Sequence, residues 1–220
     1  MDLTALRADV DRRFALRPNP VHGWEDPHPS APAREEEYAL NTEPQRYAIA
    51  AQRAQAWVEA LEEAGLAQLR ASRTPAWAAD MFEGKGRAAL LAPTRLGALP
   101  LTVVLLDWAG GEANAVALGV GGGEPAEALL LPDCGCDGCD PGSERLLEEL
   151  DDVIADVVGG TFAHANGGAG ESAWVVQSTL DGAWGRNLFT RTVGDMEGVL
   201  ARVRAGENVG ERSLHGRAWG

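Results

Sequence analysis

Positive charge is scarce in this 220-residue chain: nineteen Lys and Arg face thirty-three Asp and Glu, for a formal net charge of −14. Nucleic acid and anionic membrane surfaces recruit proteins through clustered Lys and Arg, so neither is expected as a partner. A basic protein or a small ligand is. Long apolar runs are missing too. No stretch approaches the ~18 residues of a membrane helix, and no charged-then-apolar leader precedes a small-residue cleavage site, so the expected compartment is the cytoplasm. The usual hydrolase signatures are absent, with neither a Gly-x-Ser-x-Gly elbow nor a His-Glu-x-x-His helix. Gly119–Gly123 lacks the Lys-Ser/Thr of a phosphate loop and reads as a turn. Cysteine is rare, with three residues in all.

Those three cysteines fall within six positions, in Pro132-Asp133-Cys134-Gly135-Cys136-Asp137-Gly138-Cys139-Asp140-Pro141-Gly142-Ser143. Cys134 and Cys136, two apart, leave one face of an extended segment, and Gly135 and Gly138 allow the chain to fold tightly enough to bring in Cys139. Asp140-Pro141 reads as an N-cap followed by proline at the first helical position, which places Cys139 beside a helix N-terminus whose dipole favours thiolate. Aspartates 133, 137 and 140 oppose thiolate formation unless a cation sits among them. The leading reading is a single soft divalent ion, zinc, in a structural role. Zinc takes four ligands, so the fourth is sought among His28, Asp26, Asp140, His22 and His164, or water. Two other readings stay open: a tight turn with reduced, idle thiols or a Cys134–Cys139 or Cys136–Cys139 disulfide, and redox work by Cys136-x-x-Cys139. The redox reading is weakened because both thiols precede the helix.

The same run resembles a family of uncharacterised proteins from high-GC bacteria, known only as a domain of unknown function. Further similarity lies in Trp24-Glu25-Asp26-Pro27-His28-Pro29, Glu36-Glu37-Tyr38, Arg46-Tyr47, Ala56-Trp57, Gly97-Ala98-Leu99-Pro100-Leu101 and Gly216-Arg217-Ala218-Trp219, so the resemblance spans nearly the whole chain. It departs from the commoner pattern at Asn41-Thr42 and Gly138. It implies no activity.

A hydrophobic content of 45% and seven tryptophans can furnish one sizeable core, so residues 1–220 are expected to form one globular domain, with 1–40 a helical, Pro-rich arm packed on it. Leu3, Leu6, Val10 and Phe14 predict an amphipathic first helix. Thr42-Glu43-Pro44-Gln45 reads as a capping box before a helix carrying Tyr47, Ala50, Ala54, Trp57 and Leu61 and stopped by Gly65. Strand-like runs follow at Leu66–Arg70, Arg87–Ala92, Leu99–Asp107, Ala113–Val120 and Glu127–Leu131, with Leu99–Leu106 apolar enough to be central. Ser143–Val158 is a helix with an acidic, solvated outer face. Short strands are expected at Thr161–Ala165, Ser172–Thr179 and Leu188–Thr190, then a helix over Val193–Ala205 and a strand or clasp at Leu214–Trp219. The fold class is α+β, an antiparallel sheet flanked by several helices. Three functional classes fit: a non-enzymatic metal-containing binding domain, a thiol or metal-dependent enzyme, and an acidic inhibitor of a basic partner. The first leads.

Overall fold

In the computed structural model of the protein the described residues are 1–18, 20–79, 86–122, 126–169, 173–179, 182–187 and 195–220. The chain starts with helix α1, Leu3–Ala15, whose Asp2 carboxylate accepts the N–H groups of Thr4 and Ala5. Irregular chain and two short 3-10 turns, Glu35–Ala39 and Pro44–Tyr47, lead into α2, Ala48–Glu63. The expected capping box does not form: the turn at Pro44 has no side-chain cap, because the Thr42 hydroxyl is engaged by Asp137. Gly65, at φ +68, ends the helix in the left-handed conformation that suits glycine.

An antiparallel meander follows, in spatial order β1-β2-β3-β4-β5: Ala67–Ser72, Gly86–Pro93, Leu101–Trp108, Gly111–Val120 and Ala126–Leu131, with a four-residue helix α3, Ala76–Ala79, after the first strand. Strand β3 is central, as its apolar run predicts. Leu101 and Val103 enter the main core on one face, while Val104 and Leu106 meet Ala78 and Ala88 on the other. Gly119 belongs to β4, at an irregularity in its pairing with β5, rather than to a turn.

Helix α4, Gly142–Gly159, packs Leu146, Leu150 and Ile154 into the main core with α1 and α2. Its acidic face is less solvated than periodicity suggests. Asp151 accepts hydrogen bonds from Arg53 and from the Trp57 indole at 2.6 Å, and Asp156 is buried, accepting from Ser178. A second antiparallel sheet, order β8-β7-β6-β9, is built from Ala163–Gly167 (β6), Trp174–Thr179 (β7), Gly182–Asn187 (β8) and Arg212–His215 (β9). Helix α5, Met196–Arg204, covers it with Leu200 and Val203. The architecture is therefore α+β with two antiparallel sheets rather than one. The β8 segment carries too little apolar alternation to read as a strand; the expected strand at Leu188–Thr190, Ser172 and the first residues of the expected last helix lie outside the described residues.

The C-terminus is a clasp. Arg217 N–H donates to the Gly97 carbonyl, Trp219 N–H to the Val158 carbonyl, and the buried Trp219 indole to the Leu99 carbonyl at 3.1 Å. One aromatic residue thus joins the end of α4 to the approach to β3. Trp219→Ala should cost about 3–5 kcal/mol of unfolding free energy in urea, from lost burial plus the cavity left behind. A loss below about 1 kcal/mol would show that the clasp merely rests on the surface.

Candidate metal centre

The cysteine segment leaves β5 through a cis Leu131–Pro132 bond and turns under three aromatic or backbone contacts, each at a glycine. Gly135 has φ +66, and a Cβ there would run into the Trp108 ring. At Gly138 a Cβ would meet the Tyr38 ring at 2.9 Å, and at Gly142, with φ +79, it would meet the Asp26 backbone nitrogen at 2.6 Å. The loop therefore packs too closely for side chains at these positions, and the contacting groups come from the N-terminal forty residues and the end of β3.

Polar contacts fix the same loop. The Asp137 N–H donates to the Leu40 carbonyl at 2.8 Å, and the Asp137 carboxylate accepts from Thr42 N–H at 3.0 Å and from the Thr42 hydroxyl. Those Thr42 hydrogen bonds hold the Asp137 carboxyl below the usual carboxylate range. Asp140 is enclosed: its carboxylate accepts the Trp24 indole N–H at 2.9 Å and the Gly142 N–H at 3.0 Å, and pairs with Arg46 at 2.9 Å. Arg46 in turn lies over the rings of Trp24 and Tyr47, 5.3 and 5.2 Å from their centroids. Ser143 completes the junction, its hydroxyl accepting the Trp24 N–H and donating to the Trp24 carbonyl, both at 2.9 Å.

Within this frame the three sulfurs converge. The Sγ atoms of Cys134, Cys136 and Cys139 all lie within 4.8 Å of one another, with Cys134 and Cys136 3.3 Å apart. The thiols are free, and that separation is far beyond a disulfide bond. Three thiolates around a tetrahedral ion at ~2.3 Å would sit about 3.8 Å apart, so the cluster needs only small adjustments to share an ion. Cys134 and Cys139 reach solvent and Cys136 is half-buried, so the group is open on one side.

Ionisation is uneven across the cluster. Burial pushes the Cys136 thiol up, but hydrogen bonds from Cys134, Cys139 and the N–H groups of Cys139 and Gly138 outweigh it and leave Cys136 lowered. Cys139 is pushed up to about 12, first by its hydrogen bond to Cys136, then by that to Cys134, burial and the neighbouring negative charge. This corrects the expectation that a helix dipole stabilises thiolate at Cys139. Helix α4 begins only at Gly142, and its first N–H groups are taken by Asp140 and by the Trp24 carbonyl. A bound cation would compete with protons for the three sulfurs.

Among the described residues no histidine nitrogen or carboxylate oxygen joins the three-sulfur group. His28 comes to the loop, its Nε2 3.4 Å from the Asp137 carbonyl oxygen, while its own N–H donates to Asp26 at 2.6 Å. Asp140 borders the loop but is committed to Trp24 and Arg46. His22 is exposed. His164 is elsewhere, buried in β6 with Nδ1 3.3 Å from the Gln177 amide oxygen and Nε2 without a partner among the described residues, and burial lowers its pKa. Sequence reasoning missed Arg46, Thr42, Asp137 and Trp108 as the supports of the loop, because each acts across more than twenty-five residues of sequence. Arg46 and Asp137 had a signal, in the Arg46-Tyr47 pair and in the cysteine run that carry the resemblance.

Residues 10–220 match a family described as a family of unknown function, DUF6226, and the chain belongs to it. No curated protein and no solved structure matches the chain.

The Asp140 junction yields a direct prediction. Asp140→Ala removes the nearer carboxylate from Arg46, whose Nε is buried with no hydrogen-bond partner among the described residues, and the acceptor from the Trp24 indole. The expected loss is about 3 kcal/mol in urea unfolding, the lower end for a broken buried pair because Asp137 remains 3.5 Å from Arg46. Asp140→Asn, which keeps an acceptor, should lose less. Equal losses for the two variants would show that the charge plays no part.

Proposed function

We propose that this protein is a non-enzymatic binding domain that carries one soft divalent ion, zinc, on Cys134, Cys136 and Cys139, and that the ion is structural. The observation that supports this most is the convergence of three free sulfurs within 4.8 Å in a loop braced from three sides. Thiolate sulfur selects soft or borderline ions, and three converging sulfurs with Asp133 and Asp137 beside them in the sequence suit a divalent cation. A reducing compartment, the cytoplasm, suits free thiols in such a cluster. The ion would hold the loop rigid against Tyr38 and Trp108 and so stabilise the start of α4. No helix among the described residues is long and apolar enough to cross a membrane. The net charge of −14 favours a basic protein or a small ligand as the partner and disfavours nucleic acid.

Metal analysis of protein purified under reducing conditions without chelator should give about one zinc per chain. A strong chelator should then lower the melting temperature, and Cys136→Ser should bring a comparable drop that chelator no longer deepens. Protein without metal that takes up none when zinc is supplied, and melts at the same temperature with or without chelator, would contradict the proposal.

A further inference from the structure

Three protein sulfurs leave a tetrahedral ion one ligand short, and the chain's own donors narrow what can fill the gap. Asp140 has no exposed side-chain surface and is saturated by Trp24, Arg46 and Gly142. Asp137 is held by Thr42 and Arg46, and Asp26 by the His28 N–H. His164 and His215 belong to the second sheet, where they contact Gln177 and the Phe162 carbonyl. His28 differs from these. It is half-buried, its ring touches Asp137, the residue after Cys136, and the backbone two residues earlier is wedged against Gly142.

Resting on the metal reading above, we infer that His28 is the fourth ligand, and that metal binding straps the N-terminal arm onto the cysteine loop. Charge favours imidazole over carboxylate. Three thiolates on a divalent ion already carry one net negative charge beside Asp133 and Asp137, and a neutral nitrogen adds none. The Asp137 carbonyl can only accept, so a hydrogen bond at this contact requires the proton on Nε2 and leaves Nδ1 bare, the arrangement by which an outer hydrogen bond orients a ligating histidine. Neither nitrogen lies within the three-sulfur group, so the ring and loop must move toward each other when the ion enters. The 3.4 Å hydrogen bond is long and weak, so it opposes that movement little. Residues 24–28 would then be fixed at both ends, by Trp24 on Asp140 and by His28 on the ion.

Cobalt(II) substitution separates this inference from the reading beneath it. The wild-type protein should show sulfur-to-cobalt charge transfer with intense tetrahedral visible bands that added imidazole leaves unchanged. His28→Ala should keep the charge transfer, lose visible-band intensity, and recover it when imidazole is added. His22→Ala should behave as wild type. Amide exchange over residues 22–30 should slow on metal loading in the wild type and not in His28→Ala. Identical spectra for wild type and His28→Ala, or a change that imidazole does not rescue, would overturn His28 ligation while leaving the cysteine site standing. Absence of sulfur-to-cobalt charge transfer in the wild type would instead remove the metal reading itself.

Discussion

The enclosed contact between Asp140 and Arg46, closed over by Trp24, is the interaction on which the rest of the site depends. An aspartate with no exposed side-chain surface needs a cation and donors, and it finds Arg46, the Trp24 indole and the Gly142 N–H. Meeting that demand brings together three segments far apart in sequence: the Pro-rich stretch, the turn before α2 and the start of α4. Once they meet, the loop between β5 and α4 is boxed in, with Tyr38 and Trp108 against its glycines and Thr42 gripping Asp137. The sulfurs converge because the loop around them has little other choice.

Such a loop has an electrostatic debt that the protein alone leaves open. Aspartates flank the thiols, the chain is acidic, and the neighbouring sulfurs push the Cys139 thiol up. Arg46 cannot serve the sulfurs, since its guanidinium is already shared by Asp140 and Asp137. A divalent ion is the simplest group that neutralises thiolates at this spacing, and the resulting bonds would reinforce the same junction that Asp140 builds.

Much of the scaffold was legible in the sequence because it follows from one-dimensional periodicity. The 3.6-residue stripes of α2 and α4 and the near-continuous apolar run of β3 reflect burial, and burial decides those elements. The clustering of the cysteines was equally local. What escaped has a common cause in long-range pairing. Thr42 reads as a helix cap until Asp137 claims its hydroxyl, and Asp156 looks solvated until Ser178 of β7 reaches it. The division into two sheets is likewise invisible to periodicity. Strand β8 has a Gly-rich sequence with weak alternation, and its place is set by pairing with β7 rather than by its own composition.

The central claim, one ion held by three cysteine sulfurs with a nitrogen in the fourth place, is most directly tested by X-ray absorption at the zinc edge on purified, metal-replete protein. The account predicts about three sulfur scatterers at ~2.3 Å and one nitrogen scatterer at ~2.0 Å, with outer-shell scattering from an imidazole ring. A shell made of oxygen and nitrogen alone would contradict it, because the ion would then be bound somewhere other than Cys134, Cys136 and Cys139.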